Sequence, residues 1–60
     1  MTTAEQIRAI RAATGLTQQA FGERFGIPRR TIQEWEGGRM SPPPYVIRLL
    51  ELAVAANPER

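Results

Sequence analysis

Glycine and proline punctuate this chain so closely that no long element can form. Gly15, Gly26 and the pair Gly37-Gly38 each fall where a stretch of helical periodicity ends, and Ser41-Pro42-Pro43-Pro44 interrupts helix again before a last apolar run. Only short helices fit between these breaks. Thr2, Thr3, Glu5 and Gln6 offer capping-box spacing in either register, Thr2 to Glu5 or Thr3 to Gln6, and Ile7, Ile10 and Ala13 then recur at helical spacing toward Gly15. Thr17 suits an N-cap, with Ala20, Phe21 and Phe25 forming an apolar face and Gly26 placed to end the helix in a left-handed conformation. Pro28 suits the first turn of a third helix whose inward side is Ile32 and Trp35. The last proline of the run can sit in the first turn of a fourth helix, with Val46, Leu49, Leu50, Ala53 and Val54 apolar and Asn57-Pro58 as its stop. The spacing therefore predicts helices over about 3–14, 18–25, 28–36 and 44–56, without strand or repeat: an all-α bundle of four short helices forming a single domain over residues 1–60.

A domain of 60 residues buries only about 60% of the surface its unfolded chain exposes, so the core is thin. Small domains usually compensate with disulfides, a structural metal or self-association. This chain has no Cys and no His, which leaves self-association; no metal and no cofactor are expected. The same absences weigh against catalysis. Asp and Lys are missing as well, and Glu34 and Glu36, two residues apart, do not share a helix face. The chain is therefore not expected to be an enzyme. The N-terminus is amphipathic, and no apolar run approaches the roughly 20 residues that span a bilayer, so neither export nor a membrane is indicated. The lack of Cys fits a reducing compartment, most simply a bacterial-type cytoplasm. All eight basic residues are Arg, but a net charge of +2 does not by itself imply a nucleic-acid partner; the position of the charges matters more than their number.

Two short helices joined by a tight turn can be a generic helical hairpin or a helix-turn-helix that reads DNA. Side-chain size separates the two. Steep, close crossing requires a small residue inside the first helix, a glycine in the turn, and branched or bulky apolar anchors on the second; Gly22, Gly26, Ile32 and Trp35 meet these requirements in order. The segment TQQAFGERFGIPRRTIQEWEGGR, preceded by Arg11 and Leu16, resembles the helix-turn-helix of the lambda repressor and Cro family, also called the xenobiotic-response-element family. The resemblance covers about residues 5–55, with LTQ, Gly22, FGI and TIQEWEGG as its motifs.

That resemblance implies double-stranded DNA as the partner and regulation of transcription, typically repression, as the role. The third helix would enter the major groove while the second lies across the backbone. Arg29, Arg30, Thr31 and Glu34 would face the bases; an Arg fork matches guanine O6 and N7, and a carboxylate accepts from cytosine N4. Glu34 stands one turn beyond Arg30, so pairing with that Arg is an equal use for it. Gln18, at the start of the second helix, with Gln33, Gly38 and Arg39, would touch the phosphate backbone and set register. The resemblance also implies a structural salt bridge between Arg11 and Glu36. Phe21 and Trp35 are anchors in the core on this reading, not stacking platforms.

Pro28 departs from the pattern, standing where Ser, Thr or Asn caps are common in the family. The sequence also ends after four helices, whereas many relatives carry a fifth that completes a dimer interface. Tyr45, Leu49, Leu52 and Val54 hold more apolar surface than one thin core needs, so a homodimer through helix 4 is expected, bound to a palindromic site. An antitoxin or accessory module, whose main partner is a protein such as a toxin, is the second reading. On either reading the chain would work in a bacterial or phage-encoded setting, near the nucleoid.

Overall fold

The computed structural model describes residues 2–56, which form four helices: α1 (Thr3–Thr14), α2 (Gln18–Phe25), α3 (Arg29–Glu36) and α4 (Pro44–Ala56). No strand occurs among the described residues, and the Asn57-Pro58 stop lies outside them. Helix α1 begins on the Thr2 register of the two available. Thr2 Oγ1 accepts from Glu5 N–H at 3.1 Å, and Glu5 Oε1 accepts from Thr2 N–H at 2.9 Å, so each satisfies an orphan donor of the first turn. Thr17 caps α2 by accepting from Ala20 N–H at 3.1 Å. Helix α3 starts one residue later than the sequence indicates. Pro28 is its N-cap rather than its first residue: φ −57° suits either position, but ψ 139° is extended, and no side chain caps the helix.

Helix α1 is the shared support, packing on both α3 and α4, while α3 also packs on α2. Ile7, Phe21 and Ile32, one from each of the first three helices, are completely buried; Ile10 and Leu50 complete the core. Phe25 tilts against Phe21 with ring centroids 4.7 Å apart, the offset geometry that aromatic rings favour. Trp35 is half-buried at the edge of this core instead of at its centre.

Two apolar positions of the sequence pattern face outward. Ala13 lines an open groove between α1 and α4 with Ile10 and Val54, and Leu49 is 59% exposed although Leu50 beside it is buried. A helix face of about 100° admits both leucines by periodicity, and packing against α1 selects only Leu50. Val54, by contrast, packs on the core. No helix among the described residues is long and apolar enough to cross a membrane.

Candidate nucleic-acid interface

The crossing of α2 and α3 depends on one missing methyl group. A Cβ on Gly22 would collide with the Ile27 carbonyl oxygen and press on Ile32 Cδ1 at 3.1 Å. That backbone cannot step aside, because Ile27 N–H donates to Gly22 O at 2.8 Å and ties the turn to α2. Gly26, at φ 72°, supplies the left-handed residue that turns the chain between the helices. A small residue inside α2 and a left-handed residue after it hold α3 close, with Ile32 inward.

With Ile32 inward, the opposite face of α3 is directed to solvent and carries Arg30 and, one turn on, Glu34. Gln33 is exposed and Thr31 half-buried on the flanks, and Arg29, on the Ile32 side of the helix, is exposed because it stands in the first turn beside Gly26 and Pro28. Arg30 Nε stands 3.9 Å from Glu34 Oε2, with 88% of the Arg30 side chain and 34% of the Glu34 side chain exposed. This is a loose surface pair that contributes little to stability. Beyond the helix, Gly38 at φ 77° turns the chain back, so that Arg39 N–H and Met40 N–H both donate to the Glu34 carbonyl, at 3.0 and 3.4 Å. Arg39 is thereby held beside the far end of α3. The Gly38 N–H itself donates to Trp35 O at 3.2 Å and is not a free donor, and the turn at this glycine sets the position of Arg39.

Behind α3, three side chains meet at Glu36. Arg11 Nε donates to Glu36 Oε2 at 2.7 Å and Arg11 Nη2 to Oε1 at 3.1 Å, the paired geometry that gives an Arg–carboxylate contact its strength. Arg11 Nη1 also donates to Leu16 O at 3.1 Å, which fixes the segment leading into α2. Gln18 Nε2 donates to Glu36 Oε1 at 3.0 Å, and Arg8 Nη1 donates to the Glu36 carbonyl at the end of α3. Burial by itself would push the Glu36 carboxyl up, since only 6% of it is exposed. The hydrogen bonds from Arg11 and Gln18, with the charges of Arg11 and Arg8, outweigh that effect and hold it below the ordinary carboxylate range. The same bond to Glu36 raises Arg11 against the opposing effect of its burial.

Gln18 thus has a partner that sequence reasoning did not foresee, and a different duty follows. Its amide nitrogen is directed to Glu36, so the start of α2 is registered against the end of α3. Arg8 was not identified from the sequence either. The available signal was its position three residues before Arg11, on the same face of α1. Thr14 is a third such residue: its hydroxyl donates to Arg11 O at 2.6 Å and accepts from Leu16 N–H at 3.1 Å, closing the end of α1.

Among the described residues no cluster of three or more His, Cys, Asp or Glu side chains occurs that would hold a metal ion. The exposed chemistry of α3 and the turn after it is three guanidinium groups, one amide and one carboxylate, which suits a polyanion with hydrogen-bonding edges. The sequence model of a family described as helix-turn-helix domain matches residues 4–60. No curated protein and no solved structure matches the chain.

Proposed function

The chain belongs to the helix-turn-helix domain family, a DNA-binding module, and from that premise we propose that it is a non-catalytic, sequence-specific regulator of transcription acting from the cytoplasm, with α3 in the major groove of duplex DNA. The observation that carries this reading is the exposed Arg29 and Arg30 at the start of α3 with Arg39 beyond its end, on a helix held rigidly from behind by Gly22, Ile32 and Glu36. The length of a recognition helix and its N-terminal presentation of side chains match what base readout needs.

The roles divide by position. Arg29, Arg30, Thr31 and Glu34 face base edges, where each good Arg–guanine pair discriminates by about 1–3 kcal/mol. Arg39 and Gln33 face phosphates and fix register, and the backbone at the start of α2, whose Gln18 side chain is held by Glu36, is the phosphate-facing end of that helix. The family resemblance read from the sequence favours repressor-type regulation of the lambda and Cro kind. Equilibrium competition tests the proposal: a labelled duplex is bound and then challenged with unlabelled duplexes of different sequence and with single strands. Sequence-dependent displacement by duplexes is the expected result. Indifference to sequence, or stronger displacement by single strands, contradicts it.

The same reading includes a homodimer through α4, bound to a palindromic site. Tyr45, Leu49 and Leu52 are 66%, 59% and 53% exposed and lie on one face at helical spacing, an apolar strip that a lone domain leaves in water. Leu49→Lys is therefore expected to keep the helical circular-dichroism spectrum, because the side chain is outside the core, while lowering the mass seen by sedimentation from two copies to one and removing the concentration dependence of the melting temperature. An unchanged dimer in that variant would place the interface elsewhere. A toxin-like protein partner on this strip is the other use of the same residues, and a monomer that already exposes the strip at high concentration would favour it.

A further inference from the structure

Glu34 is out of place on a surface meant for a polyanion. It stands on the outward face of α3, and Arg30, Gln33, Glu34, Arg39 and Met40 line one open depression of about 420 Å³. Its carboxylate is 3.9 Å from Arg30 Nε, and its carbonyl holds the turn that carries Arg39 through two N–H donors. One acid therefore sits between two of the cations that would approach DNA. For a domain that only gripped phosphates, this arrangement is a defect, because the carboxylate repels the backbone and draws Arg30 away from it.

We propose that Glu34 is a specificity-determining residue that acts chiefly by rejection, lowering affinity for every duplex that does not offer it a hydrogen-bond donor. This rests on the reading that α3 enters the major groove. On unrelated DNA, contacts are confined to phosphates; Arg30 must leave Glu34 to reach one, and Glu34 is left beside negative charge without a partner. On a matching site a cytosine amino group takes over as donor to Glu34, and Arg30 is released to a guanine. The pair itself is long and exposed, so it breaks easily and restrains Arg30 little; the rejection comes from the Glu34 charge, which stands beside Arg30 and Arg39 and is compensated only where a base donor meets it.

The test compares wild type, Glu34→Gln and Glu34→Gln/Arg30→Ala on two duplexes, one enriched by wild type from a random pool and one of unrelated sequence, over a range of salt concentrations. Glu34→Gln keeps the shape and an acceptor but removes the charge. It is expected to bind the unrelated duplex about threefold to tenfold more tightly, with a salt dependence steeper by roughly one phosphate contact, and to lose preference for the enriched duplex. In the double variant most of that gain should disappear, because the freed Arg30 is what makes the new contact. If wild type shows no preference between the duplexes, the reading beneath the proposal fails and the proposal with it. If wild type does prefer its site but Glu34→Gln binds the unrelated duplex no more tightly, rejection by Glu34 alone is overturned and base readout by α3 stands.

Discussion

Glu36→Ala is expected to lower the stability of the domain by about 3–5 kcal/mol, the cost typical of removing one partner from a buried ion pair. A small domain has only about 5 kcal/mol or slightly more in total, so this variant should keep roughly 2 kcal/mol or less and unfold at much lower urea than wild type. The size of the effect follows from what is left behind. Arg11 would keep its bond to Leu16 but lose both contacts to the carboxylate, Gln18 would lose its acceptor, and the ends of α1, α2 and α3 would lose their common point of attachment. Leaving buried donors without acceptors is what makes such substitutions expensive. Urea denaturation followed by circular dichroism measures the loss, and a change below about 1 kcal/mol would show that the network is dispensable.

The same network gives stability a pH dependence whose sign is fixed by the depressed carboxyl of Glu36. In the unfolded chain a Glu titrates near pH 4.3, so on acidification the unfolded state takes up its proton before the folded state does. The contribution of Glu36 is fully present above that value and is lost as the pH falls through the lower folded value. Glu36→Gln, which cannot ionise, should have a flatter stability curve than wild type across that acid window. Equal slopes would mean that Glu36 titrates alike in both states.

Replacing Arg29 and Arg30 together by Ala is expected to abolish preference for the bound site while leaving the fold intact. Both side chains are exposed at the start of α3, and neither contributes to the core. If both read guanines, about 1–3 kcal/mol of discrimination is lost at each, so the combined fall in affinity for the preferred site lies roughly between thirtyfold and twenty-thousandfold. On unrelated duplexes the double variant should lose much less, only its share of phosphate attraction. Arg39→Ala supplies the contrast: it should weaken all duplexes alike and reduce the salt slope by about one contact. Binding isotherms at several salt concentrations separate the two kinds of loss. Equal behaviour of the base-facing and phosphate-facing variants would remove the division of roles.

Much of the backbone was legible because glycine and proline act locally. The left-handed Gly26 and the start of α4 at Pro44 follow from short-range sterics and hydrogen bonding, and neighbouring residues alone determine them, whereas the capping box of α1 was legible only as two registers, of which Thr2–Glu5 forms. Pro28 shows where that logic stops: its fixed φ serves the cap and the first turn equally, and only ψ decides. The choice between Leu49 and Leu50 is tertiary for a similar reason, since periodicity admits both and the direction of α1 selects one.

At the site, the outward position of Arg30 is a consequence of Ile32 pointing inward, and was readable as such, whereas Arg29 shares the Ile32 side and is exposed only because it begins the helix. The partners of Glu36 were less so. Arg8 and Gln18 lie far from it along the chain, and their convergence requires the crossing angles of α1, α2 and α3. Nothing in the local sequence assigns Gln18 to a carboxylate behind α3 instead of a phosphate in front of α2. The finer functional reading, of base-facing and phosphate-facing residues, therefore depends on the geometry of α3 as a whole and stands or falls with its entry into the groove.

That entry is tested most directly by selection of duplexes from a randomised pool, with the bound fraction sequenced after successive rounds. The account predicts enrichment of a short motif containing guanines within reach of Arg29 and Arg30, repeated as an inverted half-site about one helical turn, roughly 34 Å, away. A pool that remains random after selection, while the protein still binds duplex DNA, would contradict it.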